Sequence, residues 1–189
     1  MRIINVLMLI VLFSTPVFAR EIADVKIPEL VTVGEGMALH LNGAGIRYKF
    51  FFKIYIAELY MEHPATDVQK VIKDDGRKRV VMHFVYSEVD KDKLVEGWNE
   101  GFHGNLSPQQ FAALQDKINR FNGMFDTVKS GDEIFLDYIP GIGTEVRIRG
   151  QKKGVIAGKD FNDALLAIWL GKEPVSDELR QELLGNSQE

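Results

Sequence analysis

From Leu41 to Glu62 the chain reads LNGAGIRYKFFFKIYIAELYME, and apolar and charged side chains alternate through much of it. Between Ile46 and Ile56 the even positions are Ile46, Tyr48, Phe50, Phe52, Ile54 and Ile56, while Arg47, Lys49, Phe51, Lys53 and Tyr55 take the odd ones. Successive side chains leave a strand on opposite faces, so this alternation predicts a strand or hairpin with one apolar and one cationic face. Aromatic and β-branched residues suit a pleated, half-buried surface, which places the stretch centrally in a sheet. Gly43-Ala44-Gly45 predicts a relaxed turn leading into it. Beyond Ile56 the apolar role passes to Leu59 and Met61, a change of phase that predicts a bulge or bend near Ala57.

The remaining pattern alternates between strand and helix periods. Leu30 to Val33 is a short strand, and Lys78 to Tyr86 is apolar enough for a buried one. Thr66 to Lys73 reads as a short helix, with Thr66 and Gln69 as its capping box. Asp90 to Phe102 places Leu94, Val95, Trp98 and Phe102 on one helical face. Ser107-Pro108-Gln109-Gln110 opens a clearer helix, whose stripe is Phe111, Leu114, Ile118, Phe121 and Phe125. Glu133 to Ile139 and Thr144 to Arg149 form a hairpin around Pro140-Gly141-Ile142-Gly143, with a short third strand at Val155 and Ile156. Asp160 caps a helix carrying Phe161, Leu165, Ile168 and Trp169, and Ser176 starts a last one that ends at Gly185. Strands early and late, with helices between and after, predict an α+β fold with helices on one face of an antiparallel sheet.

Residues 1–19 form a separate piece. Arg2 precedes an apolar run from Ile3 to Phe13, and Val17-Phe18-Ala19 supplies small residues before a cleavage point at Arg20. Ser14, Thr15 and Pro16 interrupt the run before the roughly 18 apolar residues that a membrane span needs. A secretory signal peptide follows, with a periplasmic product, no stable membrane anchor, and one domain over residues 20–189. The chain has no cysteine, so the domain depends on its apolar core alone. Its formal charge of −4 argues against nucleic acid or an anionic membrane as the main partner.

Candidate chemistry is sparse. His40, His63, His83 and His103 show no metal-ligand spacing, and no serine sits in a nucleophile elbow. Gly141-Ile142-Gly143 is followed by a strand where a phosphate-binding loop needs a helix. What remains is Arg47, beside Phe51 and Tyr55 on one strand face. Its guanidinium could hold a carboxylate or a developing enolate by a forked hydrogen bond. From spacing alone the plainer reading leads, in which Arg47, Lys49 and Lys53 simply wet the outer face of an edge strand.

Five blocks in order carry a family likeness: NGAGIRYKF, KIYIAELYME, LSPQQF, GDEIFLDYIPGIGTEV and AIWLGKEPVSDELRQELLG. Over Gly36 to Gly185 the chain resembles the chalcone isomerase-like family. The resemblance implies an open-faced β-sandwich, a large antiparallel sheet with a layer of helices on one face and a ligand cleft between them. Chalcone isomerases cyclise a chalcone without a cofactor, and an arginine following a Gly-x-Gly-aliphatic turn stabilises the enolate. Arg47 matches that position. A family tyrosine that polarises the substrate ketone falls at Phe111, which has no hydroxyl, and a family threonine falls near Tyr55. Losing a positioned donor to an oxyanion costs on the order of 10² to 10³ in rate, so the resemblance leans away from catalysis.

The non-catalytic branches are similar to fatty-acid-binding proteins, in which the same arginine holds a carboxylate at the mouth of an apolar cleft. On that likeness the ligand is a small amphipathic carboxylate or lipid-like molecule bound by a monomer with no cofactor or metal. Its contacts would be Arg47, Tyr55, Phe50 and Phe52, roofed by Trp98, Phe111 and Leu114. A cofactor-free isomerase of the intramolecular lyase type, with Arg47 catalytic, is the alternative. A third reading is a structural or interaction domain with a collapsed cleft, its Arg47 in solvent or paired to a carboxylate such as Glu58.

Overall fold

Seven antiparallel strands make the sheet that carries every other element. The computed structural model describes residues 19–34 and 36–186; the expected leader therefore lies outside the described residues up to residue 18. The chain starts with a hairpin, β1 (Ala19–Ile22) and β2 (Val25–Pro28), and then enters the sheet at β3 (Leu30–Val33). Next come β4 (Met37–Lys49), β5 (Phe52–Met61), the short helix α1 (Val68–Lys73) and β6 (Lys78–Phe84). A two-residue strand β7 (Glu88–Val89) precedes helices α2 (Lys91–Asn105) and α3 (Pro108–Asn122), and β8 (Val128–Lys129) pairs back with β7. The sheet closes with β9 (Glu133–Ile139), β10 (Gly143–Ile148) and β11 (Gln151–Ala157), followed by α4 (Lys159–Leu170) and α5 (Asp177–Leu183). Its strand order is β11-β10-β9-β6-β5-β4-β3, which puts β5 and β6 near the middle.

The two faces of β5 show how the layers form. Tyr55, Ala57, Leu59 and Met61 point into the main core, where Trp98, Phe102, Phe121, Phe161 and Trp169 come down from α2, α3 and α4. Ile56, Glu58 and Tyr60 point the other way. There the β1–β2 hairpin covers Ile56 and Ala44 with Ile27. This is an α+β open-faced sandwich, one sheet with its helical layer on one face.

Several local expectations need correction. Gly43-Ala44-Gly45 is extended strand inside β4, and the reversal comes later, at Phe50-Phe51. The irregularities in the β4–β5 ladder lie at Asn42 and Ile54 rather than at Ala57: Arg47 pairs with Tyr55 and Tyr48 with Lys53, so Ile54 is the extra residue. Asp67, not Thr66, caps α1, its Oδ1 accepting from Lys70 N at 2.9 Å. Gly158 precedes α4, and Asp160 falls in its first turn. The reciprocal capping box of α3 is present, with Ser107 and Gln110 each bonding the other's backbone N–H. Such a cap contributes about 0.5–2 kcal/mol.

Candidate functional site

Gly43, Gly45 and Arg47 follow one another at alternate positions of β4, on the face turned toward the helices. The first two lack side chains because α5 lies directly on them. A Cβ at Gly43 would overlap the Glu182 carbonyl oxygen, and one at Gly45 would overlap the Glu182 carboxylate. Asn42 fixes the contact from both sides: its Nδ2 donates to Leu183 O at 2.7 Å, and its Oδ1 accepts from Ala65 N at 2.7 Å. The strand emerges from beneath α5 at Arg47, the first residue in the row with a long side chain.

Arg47 lies on the wall of a cavity of about 600 Å³, within the 300–1,000 Å³ typical of small-molecule sites. The floor is the helix-facing side of the sheet near the β4–β5 turn, with Ile54, Tyr55, Met82 and Phe84. One wall is α2, which offers Leu94, Gly97, Trp98 and Gly101; the other is the α4–α5 connection, with Pro174 and Val175. The space exists because α2 presents glycine where a helix would normally present a side chain. Gly101 is filled from across by Ile168, whose Cγ2 stands 2.7 Å from where a Cβ would be. At Gly97 a Cβ would meet nothing within 4 Å. The α4–α5 connection is clasped by Asn105, which donates to Glu173 O at 2.8 Å and accepts from Glu173 N at 3.0 Å.

The charges sit at the mouth. Lys49, Lys93, Glu88, Asp90, Glu100 and Glu173 line it with Arg47. Lys93 is held by Glu96 at 2.7 Å, and Glu88 by Lys129 at 3.1 Å. Arg47 donates through Nη1 to the Tyr48 carbonyl, and among the described residues no carboxylate lies within ion-pair distance of it. Tyr55, its cross-strand neighbour, accepts from Trp169 Nε1 at 3.0 Å. Burial pushes the Tyr55 hydroxyl up to about 12, against the opposing pulls of the Trp169 bond and the Arg47 charge. It therefore stays protonated across the physiological range. Trp98 Nε1 is buried and has no protein partner among the described residues.

Arg47, Tyr55 and Trp98 are thus brought together on one cavity. The other expected contacts are elsewhere. Phe50 and Phe52 stand at the exposed hairpin tip, Phe111 stacks on His103 with ring centroids 3.8 Å apart, and Leu114 is buried in the core under α3. Opposite the sheet the lining comes from α2 and the α4–α5 connection, and α3 contributes no lining residue. Glu58 is on the opposite face, accepting from Tyr60 Oη at 2.7 Å, so it is no partner for Arg47. The cleft is open rather than collapsed. Among the described residues no group of three or more His, Cys, Asp or Glu side chains is placed to hold a metal.

Comparison with known proteins agrees with this fold. A family model described as chalcone isomerase-like matches residues 19–185. Among solved structures, a fatty-acid-binding protein of Arabidopsis thaliana superposes with a TM-score of 0.67 over 89% of this chain and 97% of that one. At 15% identity that likeness establishes the shared fold. No curated protein matches the chain at a significant level.

Proposed function

The chain belongs to the chalcone isomerase-like family, and from that premise we propose that it is a non-catalytic, periplasmic binder of a small amphipathic carboxylate such as a fatty acid. The observation that carries the proposal is Arg47: a guanidinium with no carboxylate partner among the described residues, on the wall of a cavity whose floor is apolar. A carboxylate headgroup would take the forked hydrogen bonds of Arg47, and the chain would run over Ile54, Met82 and Phe84 toward Leu94 and Trp98. One solved structure with the same fold is that of a fatty-acid-binding protein, which supports this ligand class. Lipid extraction of the purified protein followed by mass spectrometry tests the reading. A co-purifying acid that is lost from Arg47→Ala supports it. An empty wild-type protein that also binds no added fatty acid rejects it. Periplasmic export predicts a mature chain that starts at Arg20, readable from its intact mass.

One observation favours a second reading, a cofactor-free isomerase. Tyr55 is a neutral phenol on the cavity floor, directly across the ladder from Arg47, and a proton donor beside a fixed cation could stabilise an enolate. The test is turnover of a chalcone followed at its enone absorbance. Loss of activity in both Arg47→Ala and Tyr55→Phe would support it, and no turnover above background rejects it for that substrate. Phe111→Tyr would not help, because that position is outside the cavity.

A further inference from the structure

The β4–β5 turn breaks two rules of hairpin construction at once. A two-residue hairpin loop favours glycine or asparagine where φ is positive, yet the first turn position is Phe50, at φ +57°. A bulky residue there is strained. The turn also displays aromatic surface: Phe50, Phe51 and Phe52 are 87%, 80% and 45% exposed. The rings of Phe51, Phe52 and Tyr86 continue into one another, with centroids 4.5 Å apart for Phe51 and Phe52 and 5.6 Å apart for Phe52 and Tyr86. Strain and exposed apolar surface that coincide at one tip mark a functional feature, since neither serves the fold.

The charge of the tip segment differs from that of the protein, and from that of the cavity rim beside it, where Glu88, Asp90, Glu100 and Glu173 stand. Over the whole chain the formal charge is −4, but Arg47-Tyr48-Lys49-Phe50-Phe51-Phe52-Lys53 holds three cations, four aromatic rings and no carboxylate. Aromatic rings settle at the boundary between headgroups and acyl chains, and lysine or arginine beside them pairs with anionic headgroups. We infer that this hairpin tip is a reversible membrane-docking wedge, inserting Phe50 and Phe51 into the interface of a bilayer that carries anionic lipid. A second copy of the chain is the poorer occupant, because a two-fold contact at the tip would bring Arg47, Lys49 and Lys53 against their own counterparts. Docking is superficial: among the described residues no helix is long and apolar enough to cross a membrane.

The wedge shares a rim with the cavity. Arg47, Lys49 and Tyr86 belong to both, so a docked protein turns the cavity mouth toward the bilayer surface. Docking itself does not depend on what the cavity holds, so it and the ligand reading can fail separately. It also differs from what the net charge suggests, because a local cluster rather than the overall charge meets the lipid.

The experiment is sedimentation of the purified protein with vesicles of phosphatidylcholine alone and of equal parts phosphatidylcholine and phosphatidylglycerol. Wild type should pellet with the mixed vesicles, stay in solution with phosphatidylcholine, and be released by salt. The double variant Phe50→Ser/Phe51→Ser should lower the partition coefficient at least about tenfold, and Lys49→Gln/Lys53→Gln should weaken binding to the mixed vesicles selectively. In a second measurement, Phe51→Trp should give fluorescence that brominated lipid quenches. The inference is overturned if wild type ignores the mixed vesicles, or if the double serine variant binds as well as wild type. It is also overturned if light scattering finds a dimer that the serine variant dissociates, or if the Phe51→Trp signal is untouched by brominated lipid.

Discussion

Arg47 on β4 stands directly across from Tyr55 on β5, and the pair looks toward the helices rather than toward solvent. The Ile54 bulge makes this possible. Beyond the turn, Phe52 and Lys53 are exposed, and the extra residue resets the alternation so that Tyr55 enters the core beside Phe84 and Trp169. Arg47 gains an apolar neighbour on one side and open cavity on the other. Both halves of an amphipathic site thus come from one cross-strand pair.

Tyr55 also holds the helical layer. Its hydroxyl is the acceptor for Trp169 Nε1, and Tyr55→Phe would leave that buried donor without a partner. We expect a loss of about 1–3 kcal/mol, read as a lower urea midpoint with an unchanged slope. A loss below about 0.5 kcal/mol, the range of neutral surface changes, would mean that the bond contributes nothing.

Gly97 is expected to separate stability from binding. Glycine inside a helix costs roughly 0.5–1 kcal/mol relative to alanine, and here no packing contact requires it. Gly97→Ala should therefore stabilise the protein by about that amount. Gly97→Leu should fold but fill the cavity, with ligand affinity lowered at least about tenfold, or about 1.4 kcal/mol. Unchanged affinity in Gly97→Leu would show that the ligand lies elsewhere.

At Gly43 the obstacle is backbone. A methyl group there would overlap the Glu182 carbonyl and sit 2.7 Å from the Leu183 carbonyl carbon. Gly43→Ala should cost about 1–3 kcal/mol, as overpacking does. Hydrogen exchange should show α5 losing protection before the sheet does. Uniform destabilisation without early loss at α5 would contradict the docking role assigned to this glycine.

On the other face, burial raises the Glu58 carboxyl above its ordinary value, opposed by the hydrogen bond from Tyr60. A raised folded-state value means that the folded protein holds this proton more tightly than the unfolded chain. The resulting stabilisation is complete below the unfolded value and is lost as pH rises through the folded one. Glu58→Gln cannot ionise and can still accept from Tyr60, so its thermal stability relative to wild type should improve steadily from pH 4 to pH 8. A constant difference across that range would contradict the assignment.

Much of this architecture could be read from period alone. The stripe from Phe111 to Phe125 and the Ser107 cap locate α3, and the alternation of Glu133 to Ile139 locates β9. The first hairpin was hidden because its turn, Ala23-Asp24, adopts positive φ at both positions without glycine. In the central stretch, alternation carried through Phe50-Phe51 groups Arg47 with Tyr55 and Ile46 with Ile56, as the ladder does, but misplaces Phe52, which pairs with Lys49, and Lys53, which pairs with Tyr48, since neither a phenylalanine turn nor a bulge at Ile54 has a composition cue. NGAG looked like a turn because glycine usually signals one; here it records the approach of α5, a contact 141 residues away in sequence.

Of the residues expected at the site, Arg47, Tyr55 and Trp98 line the cavity. The cavity is left open by the missing side chain of Gly97 on α2, and a glycine gives no hydrophobic signal from which a wall could be inferred. Phe111 and Leu114 were expected on the roof because they share a strong apolar stripe. That stripe is core packing, and the lining residues Leu94, Pro174 and Val175 come from segments whose approach is a tertiary matter.

The central claim is that Arg47 selects an anion at the mouth of an apolar cavity. It is tested most directly by titrating delipidated wild type and Arg47→Ala with dodecanoate and with dodecanol, which share a chain and differ in headgroup charge. Wild type should prefer the carboxylate by about 10- to 100-fold, as expected for hydrogen bonds to a charged group, and Arg47→Ala should bind the two alike. A variant that keeps the full preference, or a wild type that binds both ligands equally, would contradict the account.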